Sequence, residues 1–445
     1  MTSISGRLFY IPTNRACETA LSSYLLEAGH LAISEETPVT FALIEAVEGP
    51  HVSVHKEIIS RAADETDLRI IHLTTEAQSI FIPRLVDAAG FIEGEAAKLK
   101  MMLLSQDVCY GVGPNKAALL AAALGADTLH RRDSDTVPLL VEERPCYASE
   151  LEARYVGSRL MDFGTEIENS DEMEPDSLML FVGSDYAGDL PVDRMELAEL
   201  SIELMIEHDR LEHPNASRDQ NEESVRSYFL ERNQESYDRD KVKVDLTGAT
   251  ELGVSCIHQL FFQLPEMPIP NTLGCDYFQK NLLYRLDWPV VYHNRRVGHR
   301  YSAERDTRSN EEQFVKYNLM DARYKLLWRI WSRHNRNMEA HVDELLSAPK
   351  GGFIDTDWYA HSFETAAETV SREELREIIR DLVRIYRRAF ELSNGKLKFN
   401  RLVEVLISHR EQLIDEVLTG IHDYVLLIRS WSRLISAARE CGYSI

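Results

Sequence analysis

Two carboxylates flanking a small residue, Asp133-Ser134-Asp135, are the sharpest chemical signal in the chain. They follow Asp127-Thr128-Leu129-His130-Arg131, which reads as a short strand. In extended backbone, residues i and i+2 share a face, so both carboxylates can point to one side. Hard divalent cations take oxygen ligands, and Mg²⁺ or Mn²⁺ usually joins one or two carboxylates to substrate phosphates. Such an ion offsets the charge of a departing diphosphate. An Asp-rich surface turn is the competing reading of the bare tripeptide.

Other candidates lie elsewhere in the chain. Pro12-Thr13-Asn14-Arg15 ends an apolar run, and Asn14 and Arg15 suit a nucleotide or the cap of the next helix. Glu45 and Glu48 could receive base or ribose hydroxyls. Lys116 stands near a helix start, where free amides already favour a pyrophosphate. Asp276 could accept a proton from an attacking hydroxyl if it lies within hydrogen-bond reach; it could equally cap the helix from Tyr277 to Arg285. His293 and His299 compete as a third metal ligand, and Gly298 and Arg300 favour His299. Arg295, Arg296, Arg300, Arg305 and Arg308 form a basic cluster suited to bidentate phosphate contacts, unless Glu304, Asp306, Glu311 and Glu312 neutralise it. The polar segment Gly183 to Asp189 could line an acceptor pocket or form an exposed turn.

The elements that must position these residues alternate strand and helix. Arg7–Ile11, Val39–Ile44, Leu68–Leu73 and Asp127–Arg131 read as strands. Ala16–Ala28, Val54–Ala63, Ala77–Ala89, Gly94–Leu104 and Asn115–Leu124 read as helices, the last stopped by Gly125. This alternation predicts an α/β fold with a mainly parallel sheet flanked by helices, and ligands collect at the carboxyl ends of such strands. His208 to Lys243 is strongly polar and reads as exposed. From about Glu311 the pattern is helical, with a capping box at Ser371 and Glu374. The expected division is 1–150, then 151–347 with a polar insertion around 208–243, then 348–445 as a C-terminal helical segment.

This order of landmarks resembles the GT-A-fold glycosyltransferases, in particular bacterial sugar-nucleotide transferases, over roughly residues 5 to 305. Ile11 to Arg15 resembles the family's opening strand and nucleotide-binding turn. Gly113-Pro114-Asn115-Lys116-Ala117-Ala118 through Gly125-Ala126-Asp127 resembles the helix crossing to the metal strand, and Arg131-Arg132-Asp133-Ser134-Asp135 resembles the DxD strand end. Gly274 to Tyr277 sits where the family carries an acidic pair, and Val290 to His293 with Gly298 to Arg300 resembles its late strand. Two departures stand out: glutamates replace the usual aspartates after the second strand, and Cys275-Asp276 reduces the acidic pair. The resemblance implies a nucleoside-diphosphate-sugar donor, a small-molecule acceptor and a Mn²⁺ or Mg²⁺ held by Asp133, Asp135 and His299. It implies Asp276 as base, and donor contacts from Pro12, Thr13, Asn14, Arg15, Glu45, Glu48, Lys116, Arg132, Asp133 and Arg300.

Bulk properties narrow the class. A net charge of -24 over 445 residues argues against a nucleic-acid binder, which needs a basic surface. It also argues against docking on anionic membrane. No segment approaches the roughly 20 apolar residues of a membrane span, and Met1 to Tyr10 does not read as a signal peptide. The six cysteines form no CxxC pair and suggest reduced thiols in a cytoplasm. Asn215-Ala216-Ser217 then reads as a chance sequon. Ile379, Leu382, Ile385 and Tyr386 have helical spacing and suit a core or a homodimer contact through the C-terminal helices. Two rival functions share the architecture. One is a sugar-nucleotide nucleotidyltransferase, disfavoured because no Gly-rich basic loop follows the first strand. The other is a non-catalytic binding or scaffold protein.

Overall fold

The computed structural model describes residues 5–35, 37–189, 195–212, 217–226, 239–300, 306–346 and 354–444. The chain opens with β1 (Arg7–Thr13), α1 (Glu18–Ser34), β2 (Val39–Glu45), α2 (Pro50–Glu65) and β3 (Arg69–Leu73). Next come α3 (Thr75–Ala88), α4 (Glu93–Leu103), α5 (Val112–Leu124) and β4 (Thr128–Arg132). β1 is buried on both faces, which is why it appears in the sequence as an unbroken apolar run rather than as alternation; β4 is equally buried but carries His130, Arg131 and Arg132, whose side chains are paired inside the fold. α5 ends at Gly125, whose left-handed backbone (φ +69°) a side chain would disfavour.

The middle of the chain supplies β5 (Thr136–Pro138), β6 (Leu140–Val141), β7 (Arg144–Pro145), α6 (Ser149–Tyr155), β8 (Phe181–Gly183) and β9 (Tyr186–Gly188). It continues with α7 (Met195–Leu200), α8 (Ile202–Asp209), α9 (Arg218–Val225), β10 (Val242–Val244), β11 (Val254–His258), α10 (Tyr277–Arg285), β12 (Val290–His293) and β13 (Val297–His299). The main sheet runs β10-β12-β8-β11-β4-β1-β2-β3. It is parallel except for β10 and β11, which run antiparallel to their neighbours, so the sheet is mixed beyond β4. β1 leads to β2 on one side and pairs with β4 on the other. That reversal of direction is a switch point, where a crevice opens at the carboxyl ends of the strands. A small sheet, β5-β13-β9, sets His299 opposite Thr136 and so beside Asp135.

The C-terminal helices are α11 (Glu311–Ala340), α12 (Val342–Leu346), α13 (Thr356–Thr369), α14 (Arg372–Leu392), α15 (Leu397–Ser408) and α16 (Arg410–Cys441). The capping box opens α14: Ser371 Oγ accepts from Glu374 N–H, and Glu374 accepts from Ser371 N–H, each at 3.2 Å. α16 shares an apolar core with α3 and α5, where Trp431 and Leu427 pack with Phe81 and Leu120. Trp431 Nε1–H donates to Phe262 O (3.1 Å), and Tyr424 Oη–H donates to Pro265 O (3.1 Å). Ile379, Leu382, Ile385 and Tyr386 are buried in the chain's own core, so this stripe is not available to a second copy. Among the described residues, no helix is long and apolar enough to cross a membrane.

The polar stretch after Asp209 is not uniformly exposed. His208, Asp209, Glu212 and Asn221 are buried, and α11 supplies charged partners to two of them. His208 lies 3.1 Å from Asp321, and Lys325 Nζ pairs with Glu212 at 2.5 Å. Asn215 of the sequon and Arg305 and Glu304 of the basic cluster lie outside the described residues.

Candidate active site at the strand switch point

A cavity of about 690 Å³ opens where β1 and β4 end. Pro12, Thr13, Asn14, Arg15, Lys116, Asp133, Asp135, Asp276 and His299 all line it. The Thr13 hydroxyl shapes the first turn, donating to Arg15 O (2.8 Å) and accepting from Arg15 N–H (3.3 Å). Arg15 Nη2 then lies 3.5 Å from Asp135 Oδ2.

The two aspartates have separate environments. Asp133 Oδ1 accepts from Arg131 Nε (3.1 Å), and its Oδ2 accepts from Tyr186 Oη–H (2.8 Å). Gly253 lies directly beneath this pair; a Cβ there would overlap both Tyr186 Oη and Asp133 Oδ2. Asp135 Oδ2 lies 3.5 Å from His299 Nε2. His293 is elsewhere: fully buried, 4.0 Å from Glu152, its pKa lowered to about 4 by burial. Among the described residues, no group of three His, Cys, Asp or Glu side chains could by itself hold a metal. Asp135 and His299 are two side chains here that could contribute to an ion, and only if its remaining ligands came from a bound phosphate and water.

Asp276 does not act as a helix cap. Its side chain makes no capping hydrogen bond to α10. Instead Oδ2 accepts from Arg131 Nη1 at 2.8 Å, while Oδ1 is buried with no hydrogen-bond partner among the described residues. Burial raises the Asp276 pKa, and Arg131 opposes the rise. Glu266 is buried close by, and burial followed by the Asp276 charge pushes its carboxyl well up.

Four expected contacts are not brought to the cavity. Arg132 is fully buried between Glu27 Oε1 (2.8 Å) and Glu152 Oε1 (2.9 Å), with its guanidinium 5.0 Å from the Phe9 ring centre. Alternation along β4 turns it away from Asp133 and puts Arg131 on the cavity side instead. Glu45 is fully buried: its Oε1 accepts from His55 Nδ1 (2.8 Å) and His72 Nε2 (3.0 Å). Burial opposes its ionisation, but these hydrogen bonds prevail and lower its pKa. Glu48 and Arg300 are exposed and outside the cavity wall; Arg300 contributes a backbone N–H to Asp135 O (3.2 Å). Among the described residues, the rest of the basic cluster is paired with carboxylates: Arg295 with Asp240 and Glu150, Arg296 with Asp185, Arg308 with Glu199.

Arg131, Tyr186 and Glu266 are the additions from the structure. Strand parity with Asp133 points to Arg131. Tyr186, 53 residues beyond Asp133, belongs to the Gly183–Asp189 segment, expected as a pocket lining or an exposed turn, and it lines the cavity; no local signal marks Glu266, which comes from the loop before α10.

A family model described as a family of unknown function (DUF6271) matches residues 8–444. The chain belongs to this family. No curated protein matches it. Among solved structures, the DUF6271 chain is loosely similar to glucosyl-3-phosphoglycerate synthase from Mycobacterium tuberculosis in complex with Mn²⁺, UDP and glucosyl-3-phosphoglycerate. That likeness has a TM-score of 0.33 and 12% identity, covering 73% of this chain and 79% of that one. TarS residues 1–349 from S. aureus align with a TM-score of 0.31 and 11% identity, covering 94% of this chain and 91% of that one.

Proposed function

We propose that the chain transfers a glycosyl group from a nucleoside-diphosphate sugar to a small hydroxyl- or amine-bearing acceptor. The observation that carries this reading is one cavity shared by the Pro12–Arg15 turn, Asp133, Asp135 and the buried, half-satisfied carboxylate of Asp276.

Asp135 and His299 would hold a Mn²⁺ or Mg²⁺ completed by diphosphate oxygens and water, and the bound ion offsets the charge of the departing diphosphate. Arg15 and Lys116 supply cationic contacts from the other side. Burial lowers the Lys116 pKa to about 8, so it still carries its proton at neutral pH. Lys116 is aimed by Gln78, whose Oε1 accepts from its Nζ at 2.6 Å. Arg131 and Tyr186 fix Asp133 at the rim of this donor site.

Asp276 is the base of an inverting transfer. Its Oδ1 takes the acceptor proton as the acceptor atom attacks the anomeric carbon, while Arg131 on Oδ2 fixes the carboxylate plane. A raised pKa brings the carboxylate closer to the operating pH, as general base catalysis requires.

The test is a thermal-shift panel of nucleoside diphosphates and their sugars, with and without Mn²⁺. A diphosphate whose stabilisation grows with Mn²⁺, and whose sugar form is consumed with an acceptor, supports the proposal. If no nucleoside diphosphate raises the melting temperature under either condition, the proposal is abandoned. Release of pyrophosphate from a nucleoside triphosphate would replace it with sugar-nucleotide synthesis.

A further inference from the structure

Two thiols meet at the edge of the cavity, one in its wall and one buried behind it. Cys109 precedes α5, is partly exposed and borders the cavity. Cys275 is buried immediately before Asp276, and the two sulfurs share a hydrogen bond. The segment carrying Cys109 is fastened on both of its sides to the loop that leads to Cys275. Asn271 N–H donates to Val108 O (2.7 Å), Asn115 Nδ2 donates to Glu266 O (2.8 Å), and Glu266 N–H donates to Asn115 Oδ1 (2.7 Å). Gly111 lies so close to the Met267 backbone that a side chain would not fit. The Cys109 sulfur also receives the backbone N–H groups of Gly111 and Val112 at the start of α5, where the helix favours negative charge.

We propose that Cys109 is a modification site for soft electrophiles and peroxides, with Cys275 as the thiol that closes a disulfide with it. The Cys109 thiolate attacks one oxygen of hydrogen peroxide; the O–O bond breaks, and hydroxide leaves and takes up a proton as water. Cys109 is then a sulfenic acid. The Cys275 sulfur attacks it, an S–S bond forms, and the hydroxyl departs with the Cys275 proton as a second water. Two thiols lose two electrons and the peroxide gains them. Position assigns the two roles: Cys109, partly exposed at the cavity, meets the peroxide first, and buried Cys275 closes the disulfide; donation from Cys275 and the two amides further eases ionisation of Cys109. The product bond would tie the segment before α5 to the residue next to Asp276 and so reshape the cavity wall.

The experiment uses the native full-length chain and needs no sugar substrate, so its outcome is independent of the transferase proposal. Brief treatment with iodoacetamide and peptide mass mapping should show Cys109 alkylated roughly tenfold faster than the partly exposed Cys146 and Cys441. Hydrogen peroxide should yield a peptide linked through Cys109 and Cys275 that dithiothreitol separates. In C275S, a sulfenic-acid trap such as dimedone should label Cys109 instead. Alkylation of Cys109 no faster than the other two thiols, or peroxide treatment of the unmodified chain with no 109–275 link, would overturn the proposal.

Discussion

Arg131 Nη1 lies 2.8 Å from Asp276 Oδ2, joining the end of β4 to the start of α10 across 145 residues of sequence. The same guanidinium holds Asp133 through Nε at 3.1 Å. One cation therefore steadies a carboxylate on the proposed donor side and the carboxylate proposed as base. Asp276→Asn should lower kcat by about 10²- to 10⁴-fold with donor binding retained. The rate should also fall as pH drops through the raised Asp276 pKa, because the protonated carboxyl accepts no proton. Arg131→Ala removes the cation opposing that rise, so the acid limb of the kcat/KM profile should move to higher pH. An acid limb unmoved in Arg131→Ala would count against this pairing of roles.

Asp135 and His299 should control the response to metal. In Asp135→Ala and His299→Ala, the stabilisation that Mn²⁺ adds to a bound nucleoside diphosphate should disappear. Saturation at one hundred times Kd is worth about 2.7 kcal/mol, well within the range of a thermal-shift or calorimetric measurement. A Mn²⁺ increment equal to that of the parent protein in both variants would exclude the two residues as ligands.

Gly253 tests the rim without replacing any charged group. A methyl there overlaps Tyr186 Oη and Asp133 Oδ2, so Gly253→Ala must push both aside. Overpacking of this kind costs about 1–3 kcal/mol. The variant should therefore fold, with a native circular dichroism spectrum, and lose most of its activity. Full activity would show that the placement of Asp133 is not needed.

Glu152 illustrates a structural carboxylate near the same strand. Arg132 and His130 bond it, and although burial opposes ionisation, Arg132 foremost brings its pKa from 4.5 to about 2. A depressed carboxyl contributes stability above its unfolded pKa and loses it as pH falls through the folded one. Glu152→Gln should cost about 3–5 kcal/mol at neutral pH by leaving Arg132 inadequately paired. In urea unfolding, the gap between parent and variant should narrow as pH falls from 4.5 toward 2. A gap that stays constant across that range would rule out Glu152 as its source.

The amino-acid sequence by itself determined the local order of this protein. Apolar runs located β1, β2 and β3, and the stop of the preceding helix at Gly125 located β4, each within a residue or two of its ends, because buried strands concentrate apolar residues and a left-handed glycine ends a helix. It also put Asp133 and Asp135 at a strand tip. It could have separated Arg131 from Arg132, since alternation puts only the former on the face of Asp133.

Tertiary structure decided which long-range partners meet. Whether Asp276 caps its helix or turns to Arg131 depends on a strand 145 residues away. His299 rather than His293 reaches Asp135 because β13 pairs with β5, a register that no local pattern records. Glu45 is removed from the cavity by three histidines brought in from α2 and β3. A side chain's chemistry is written in its type. Whether it faces a ligand or is neutralised inside the fold depends on which distant charges the packing brings within hydrogen-bond reach.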